Sequence, residues 1–203
     1  MAKAIITIGR EHGSGGRTIA RIVAERLGYD YYDGELVALA AKQSGLSEDF
    51  LKSEDEKPKN GFFFGMDMNS LAPTTFDLAY NAQADAIRAI GDKGGAVIVG
   101  RCADYILHDY PNLVRVFIYA DEEVRVKRIT EEYQEASGKD AAKLLARMDK
   151  KRAYYYNFNT QQSWGVAQNY DLCINSKIGL ENVAGIIVNY AQHMLADNEK
   201  KGE

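Results

Sequence analysis

Between Ile8 and Ile19 the chain reads Gly9-Arg10-Glu11-His12-Gly13-Ser14-Gly15-Gly16-Arg17-Thr18. Glycines at this density let the backbone bend so that successive N–H groups face inward. A helix starting at the end of such a loop sets its partial positive charge beneath them. The chemistry this permits is phosphate binding. In the common form, G-x-x-x-x-G-K-[ST], the lysine reaches the β/γ-phosphates and the hydroxyl holds Mg²⁺. Here Gly13, Ser14, Gly15 and Gly16 would supply N–H groups, Arg17 stands where lysine is expected, and Thr18 is the hydroxyl and metal ligand. Counting back five from Gly16 lands on Glu11, whereas the available glycine is Gly9, so the loop is a variant, lengthened before Gly16 or lacking its first glycine. Arginine keeps the charge but replaces a compact ammonium by a planar fork. The plain alternative is a glycine-rich turn that binds nothing.

Phosphoryl transfer asks for positioning and charge neutralisation, so cations are the next residues to find. Arg101 lies just past an apolar run, at the strand end where ligands of open α/β sheets bind. Arg125, Lys127 and Arg128 form one basic cluster and Arg147, Lys150, Lys151 and Arg152 a second. On a helix 125 aligns with 128 and 147 with 151, so each cluster could present a pair to a polyphosphate. From these clusters Arg128 and Arg152 are candidate catalytic cations and Lys151 a candidate substrate ligand, a solvated helix face being the alternative for each. Asp33 has two readings, the N-cap of a following helix, which is favoured, or a ligand for a substrate hydroxyl or Mg²⁺-bound water. Asp104 is divided in the same way between a cap and a base or metal-water ligand. His12, inside the loop, has two readings, a phosphate contact or, favoured, a loop-surface residue, and His108 and His193 have no evident partners. Tyr154, Tyr155, Tyr156, Phe158 and Trp164 could stack a base, close over substrate or pack a dimer contact.

These residues need elements to hold them. Ala4–Ile8 is a β-rich run stopping at Gly9, and Ile19, Ile22, Val23 and Leu27 fall at helical spacing before Gly28. Tyr29–Asp33 reads as a second strand, and Leu36–Ala41 and Leu46–Leu51 as helices. Residues 52–73, around Phe62 and Phe64, read as a long excursion, and a helix follows from Thr74 to Ile90. Ala96–Val99, Leu113–Ala120 and Leu172–Ile174 are further apolar runs; such runs suit a parallel sheet covered by helices on both faces. Val183, Ile186, Ile187, Tyr190, Met194 and Leu195 make the stripe of a final helix, and Asp197–Glu203 reads as a frayed charged tail.

The whole chain of 203 residues carries 25 Lys+Arg against 29 Asp+Glu, a net charge of −4. That balance argues against coating nucleic acid or an anionic membrane through bulk charge, but not against an anionic small ligand, which responds to local charge. No apolar run approaches a membrane span and the N-terminus lacks a signal-peptide layout, so a soluble cytoplasmic protein is expected. Cys102 and Cys173 lack disulfide or zinc spacing and read as buried small apolar residues.

The segments Ile5–Ala20, Leu27–Asp33, Val97–Ile106 and Asp149–Arg152 with the aromatics after it, taken in this order, resemble the cytidylate kinase-like branch of the P-loop nucleoside-monophosphate kinases. The resemblance spans nearly the whole chain. It implies a P-loop α/β/α fold with a parallel sheet, built from a core of residues 1–33, 76–129 and 161–197, a monophosphate-binding helical insertion at about 34–75, and a lid at about 130–160. It implies ATP and Mg²⁺, and transfer of the γ-phosphate to a nucleoside monophosphate such as CMP. In cytidylate kinases the strand before Gly-Arg ends in Asp and another Asp follows the Arg. Here those positions are Val99 and Cys102, and the nearest carboxylate is Asp104. On this reading Arg17 and the loop hold the β/γ-phosphates, Thr18 ligates Mg²⁺, and Arg101, Arg128 and Arg152 neutralise charge on donor and acceptor. The partners expected are a nucleotide and a small-molecule acceptor, with no nucleic acid and no membrane, in a monomer or homodimer. Two other readings stand beside it: a nucleotide-binding sensor without catalysis, and a kinase of a non-nucleotide metabolite.

Overall fold

A computed structural model describes residues 3–49 and 75–201. The expected excursion 52–73, with Phe62–Phe64, lies outside the described residues, as do Phe50 and Leu51 of the helix expected at Leu46–Leu51. The chain divides into two compact units, Met1–Asp33 with Gly91–Glu203, and Gly34–Ile90.

The larger unit is built on five parallel strands: β1 (Ile5–Arg10), β2 (Asp30–Tyr32), β3 (Ala96–Val99), β4 (Leu113–Tyr119) and β5 (Leu172–Asn175), in the order β2-β3-β1-β4-β5. Their side chains alternate between faces, and the register aligns Ile6 with Val97 and Val114, and Ile8 with Val99 and Val116. That face is covered by α1 (Gly16–Leu27) through Ile19, Ala20 and Val23, and by α7 (Leu180–Lys201) through Val183, Ala184 and Ile187. The short helix α4 (Ala103–Ile106) packs against β1 and β4. Between β4 and β5 run α5 (Glu122–Lys127), a π-helical turn (Arg128–Glu132) and the 22-residue α6 (Lys139–Thr160). The smaller unit contains α2 (Glu35–Ser44) and most of α3 (Thr75–Lys93), whose alanines Ala40, Ala41, Ala79, Ala82 and Ala86 form a core of small side chains with Leu39 and Leu46.

Four expectations change. β1 does not stop at Gly9: it continues in register to Arg10, opposite Ile118. Gly9 is a strand residue without a side chain because a Cβ there would lie 2.9 Å from Phe117. The tail expected to fray is helical over its described residues, since α7 continues to Lys201. Asn198 anchors it, its Nδ2 donating to the Pro111 carbonyl at 3.1 Å and to Asn112 Oδ1 at 3.0 Å. Cys173 is exposed, because β5 is the sheet edge, while Cys102 is buried as expected. Asp33 does not cap α2; Gly34 holds that position without a side-chain bond, and the Asp33 carboxylate is drawn to two arginines instead.

Candidate active site

The loop from Glu11 to Gly15 joins the C-terminal end of β1 to the start of α1. Gly13 and Gly15 sit at φ +73° and +80°, a backbone region L-residues avoid. Space is as restrictive as angle. A Cβ on Gly15 would lie 2.6 Å from Leu180 Cδ2, and one on Gly16 would lie 2.6 Å from Arg10 Cβ. The first-turn N–H groups of α1, from Gly16 to Thr18, have no intrahelical acceptor and converge with the helix dipole on the same spot. This is a cradle that a phosphate fits and a side chain does not.

The loop is held from outside. Arg128 Nη1 donates to the Gly13 carbonyl at 2.7 Å, Ser176 Oγ to the Ser14 carbonyl at 2.7 Å, and Arg152 Nη1 to the Arg10 carbonyl at 3.0 Å. Asp149 accepts from the His12 N–H at 2.7 Å through Oδ1 and from Arg125 Nη1 at 2.5 Å through Oδ2. Glu11 accepts from the Ala120 N–H and pairs with Arg125, tying the loop to the end of β4. Ser14 is fully buried, its hydroxyl closed on the Glu11 carbonyl at 2.8 Å.

One pocket lies over this loop, lined by Arg10, His12, the glycines, Arg17, Tyr133, Glu135 and Arg152. Burial pushes the His12 imidazole below its ordinary value in spite of Glu135. A neutral ring fits its contacts: Nε2–H donates to Glu135 Oε2 at 2.6 Å while Nδ1 accepts from Arg152 Nη2 at 3.4 Å. A second pocket lies at the β3–α4 turn. It is lined by Arg10, Gly100, Arg101, Cys102, Asp104, Arg152, Tyr155, Tyr156, Trp164 and Tyr170. Gly100, Arg101 and Cys102 are all left-handed, at φ +75°, +61° and +56°, so this turn is strained at two non-glycine residues beside a cleft. Asp104 is 8% exposed, and burial raises its carboxyl above the usual range even though Tyr156 donates to Oδ2 at 2.8 Å. Burial and that carboxylate push the Tyr156 hydroxyl up in turn. Trp164 stands edge-on to Phe117 at 5.1 Å, and Tyr170 tilts against the same ring at 5.0 Å.

The structure thus brings Arg17, Arg101, Arg152, Asp104 and the loop glycines to adjoining pockets at the strand ends. Asp33 joins them indirectly, its Oδ2 2.8 Å from Arg17 Nε. Thr18 is exposed, and its side chain meets the Tyr133 hydroxyl. Arg128 lines neither pocket: it is 8% exposed and committed to the Gly13 carbonyl, so it shapes the loop from behind. Lys151 is exposed and lines neither. His108 is not without partners, since it stacks on Tyr105 and its Nδ1 lies 2.7 Å from that residue's carbonyl oxygen. Arg10, Glu11, Glu135 and Asp149 did not stand out as site residues in the sequence. One signal was present: Asp149, Arg152 and Tyr156 recur at i, i+3 and i+7, a single helical face.

The model of the cytidylate kinase-like family matches residues 5–178. The chain belongs to the cytidylate kinase-like family. It is therefore a kinase, a phosphotransferase on a P-loop nucleotide-binding fold that acts on a small molecule. A curated relative, the cytidylate kinase of Archaeoglobus fulgidus, is 28% identical over 192 residues, which cover 90% of this chain and 92% of that one. A crystal structure of an uncharacterized protein from Eubacterium ventriosum is similar with a TM-score of 0.68 and 30% identity, over 94% of this chain and 99% of that one. The shikimate kinase of Acinetobacter baumannii in complex with shikimate shares the fold, with a TM-score of 0.52 at 14% identity over 97% and 95% of the two chains. Among the described residues no group of three or more His, Cys, Asp or Glu side chains is placed to hold a metal ion.

Proposed function

We propose that the kinase transfers the γ-phosphoryl group of ATP to a nucleoside monophosphate such as CMP. The observation that carries this is the pair of adjoining pockets. A glycine cradle for a polyphosphate shares Arg10 and Arg152 with an aromatic cleft fit for a planar base. Loop N–H groups and Arg17 bind the donor phosphates. Thr18 would hold Mg²⁺, which, when bound, supplies charge neutralisation across the β- and γ-phosphates. Arg101 and Arg152 draw the acceptor's phosphate toward the donor, and Arg128 keeps the loop in shape. Tyr155, Tyr156 and Trp164 exclude water and offer ring faces, while Asp104 accepts a hydrogen bond at the cleft floor. Transfer then depends on in-line placement and on fixed positive charge where negative charge moves.

The same proposal takes residues 34–75 as the monophosphate-binding insertion and 130–160 as the lid, in a cytoplasmic monomer or homodimer. None of the described helices is long and apolar enough to cross a membrane. A coupled ADP-release assay over all common nucleoside monophosphates tests the acceptor. Turnover with at least one pyrimidine monophosphate is expected. ADP release with no monophosphate, but with another metabolite, would move the acceptor outside the nucleotides.

A further inference from the structure

Two glycines on two different turns are kept clear for one side chain. A Cβ on Gly16, at the start of α1, would lie 2.6 Å from Arg10 Cβ, and a Cβ on Gly100, in the β3–α4 turn, would lie 2.2 Å from Arg10 Nη1. Arg10 therefore runs from the phosphate cradle to the acceptor turn, and it lines both pockets. Its side chain is 14% exposed, and its Nε is buried without a hydrogen-bond partner. Asp33 is the carboxylate paired with it, at 3.7 Å through Oδ1, and the other oxygen of Asp33 is taken by Arg17 at 2.8 Å. Arg152, Arg17 and Arg101 add three more positive charges around it. Burial first, and then Arg152, pushes the Arg10 guanidinium down to about 9, which leaves it charged at neutral pH. A buried charge with so little compensation is costly unless an anion completes the site.

Arg17 is placed differently. Its side chain is 63% exposed and its Nε is occupied by Asp33. On the reading that this site transfers phosphoryl groups, we propose that Arg10, rather than Arg17, is the bridging cation of the reaction, with its guanidinium contacting the phosphoryl group in transit between donor and acceptor. Arg10 forms no bond to phosphorus and gives up no proton. It supplies fixed positive charge at the junction of the pockets, while Arg152 holds its backbone carbonyl and Asp33 orients its head group.

Arg10→Met, Arg10→Lys and Arg17→Met test this, each checked for folding by its thermal melt. Calorimetry with inorganic tripolyphosphate reads anion binding without any acceptor, and ADP release reads transfer. Arg10→Met is expected to weaken tripolyphosphate binding at least tenfold and to lower kcat by about 10²–10³-fold. Arg10→Lys should recover part of this but remain at least tenfold below wild type in kcat, because it lacks the fork that spans two pockets. Arg17→Met should change either quantity less than Arg10→Met does. Arg10→Lys with wild-type kcat and tripolyphosphate affinity, or an Arg17→Met loss exceeding that of the Arg10 variants, would overturn the assignment. Should Arg10→Met fail to fold, the comparison of Arg10→Lys with Arg17→Met decides. If the wild type turns over no acceptor, the proposed function fails, and the tripolyphosphate arm still decides between the two arginines.

Discussion

Asp104 and Tyr156 are the residues whose exchange isolates one physical effect at a time. Replacing Tyr156 by Phe leaves the ring in place but takes away the donor to a buried carboxylate, a loss of about 1–3 kcal/mol in stability, readable by chemical denaturation. Asp104→Asn removes the buried charge and keeps an acceptor for the Tyr156 hydroxyl. The folded-state value of Asp104 is raised, so the stability tied to its protonated form is complete below the unfolded value and is lost as pH rises through the folded one. Asp104→Asn should therefore melt no lower than wild type at pH 7, and its Tm relative to wild type should rise as pH goes up from 4; a relative Tm that falls over the same range would show that the carboxylate is stabilised by charge instead. His12 has the opposite sign. Burial depresses it, so its contribution is complete above the ordinary imidazole value and is lost as pH falls through the folded one. Residue types and loop spacing make Arg17, Arg101, Arg152 and the glycines legible in the sequence. Arg10 is hidden because a strand-end arginine looks like any other, and its meaning comes from Gly100, some 90 positions away.

At the scale of elements, the loop is a device stretched between β1 and α6. Asp149→Ala would free the His12 N–H and Arg125 together; a loss of about 1–3 kcal/mol and a weaker tripolyphosphate affinity are expected, by denaturation and calorimetry. Gly15→Ala meets both a left-handed backbone, worth about 1–2 kcal/mol, and the Leu180 side chain, so it should weaken phosphate binding more than Gly28→Ala, which meets no neighbour. The two basic clusters show how far periodicity carries. Pairing 147 with 151 identifies a shared face correctly, but both residues are exposed, and the inward face is the one with Asp149, Arg152 and Tyr156. Spacing says which residues go together; burial decides which side they face. That β1 runs on through Gly9 is not legible locally, because the residue that leaves no room for a side chain there, Phe117, is on another strand.

For the molecule as a whole, a net charge of −4 coexists with Arg10, Arg17, Arg101 and Arg152 gathered at the C-terminal ends of the strands. The sheet does this by ending β1 and β3 side by side, so their following turns open onto one edge. The final helix is part of the same frame. Deleting residues 197–203 would remove the bonds of Asn198 to the β4 entry loop and cost about 1–2 kcal/mol by denaturation, with little effect on ADP release. The measurement that tests the central account most directly is a crystal structure with Mg²⁺ and a non-hydrolysable ATP analogue. The β- and γ-phosphates should rest on the N–H groups from Gly13 to Thr18, with the γ-phosphate facing Arg10 and the Gly100–Arg101 turn. Nucleotide bound away from this loop, or a γ-phosphate turned from that turn, would contradict it.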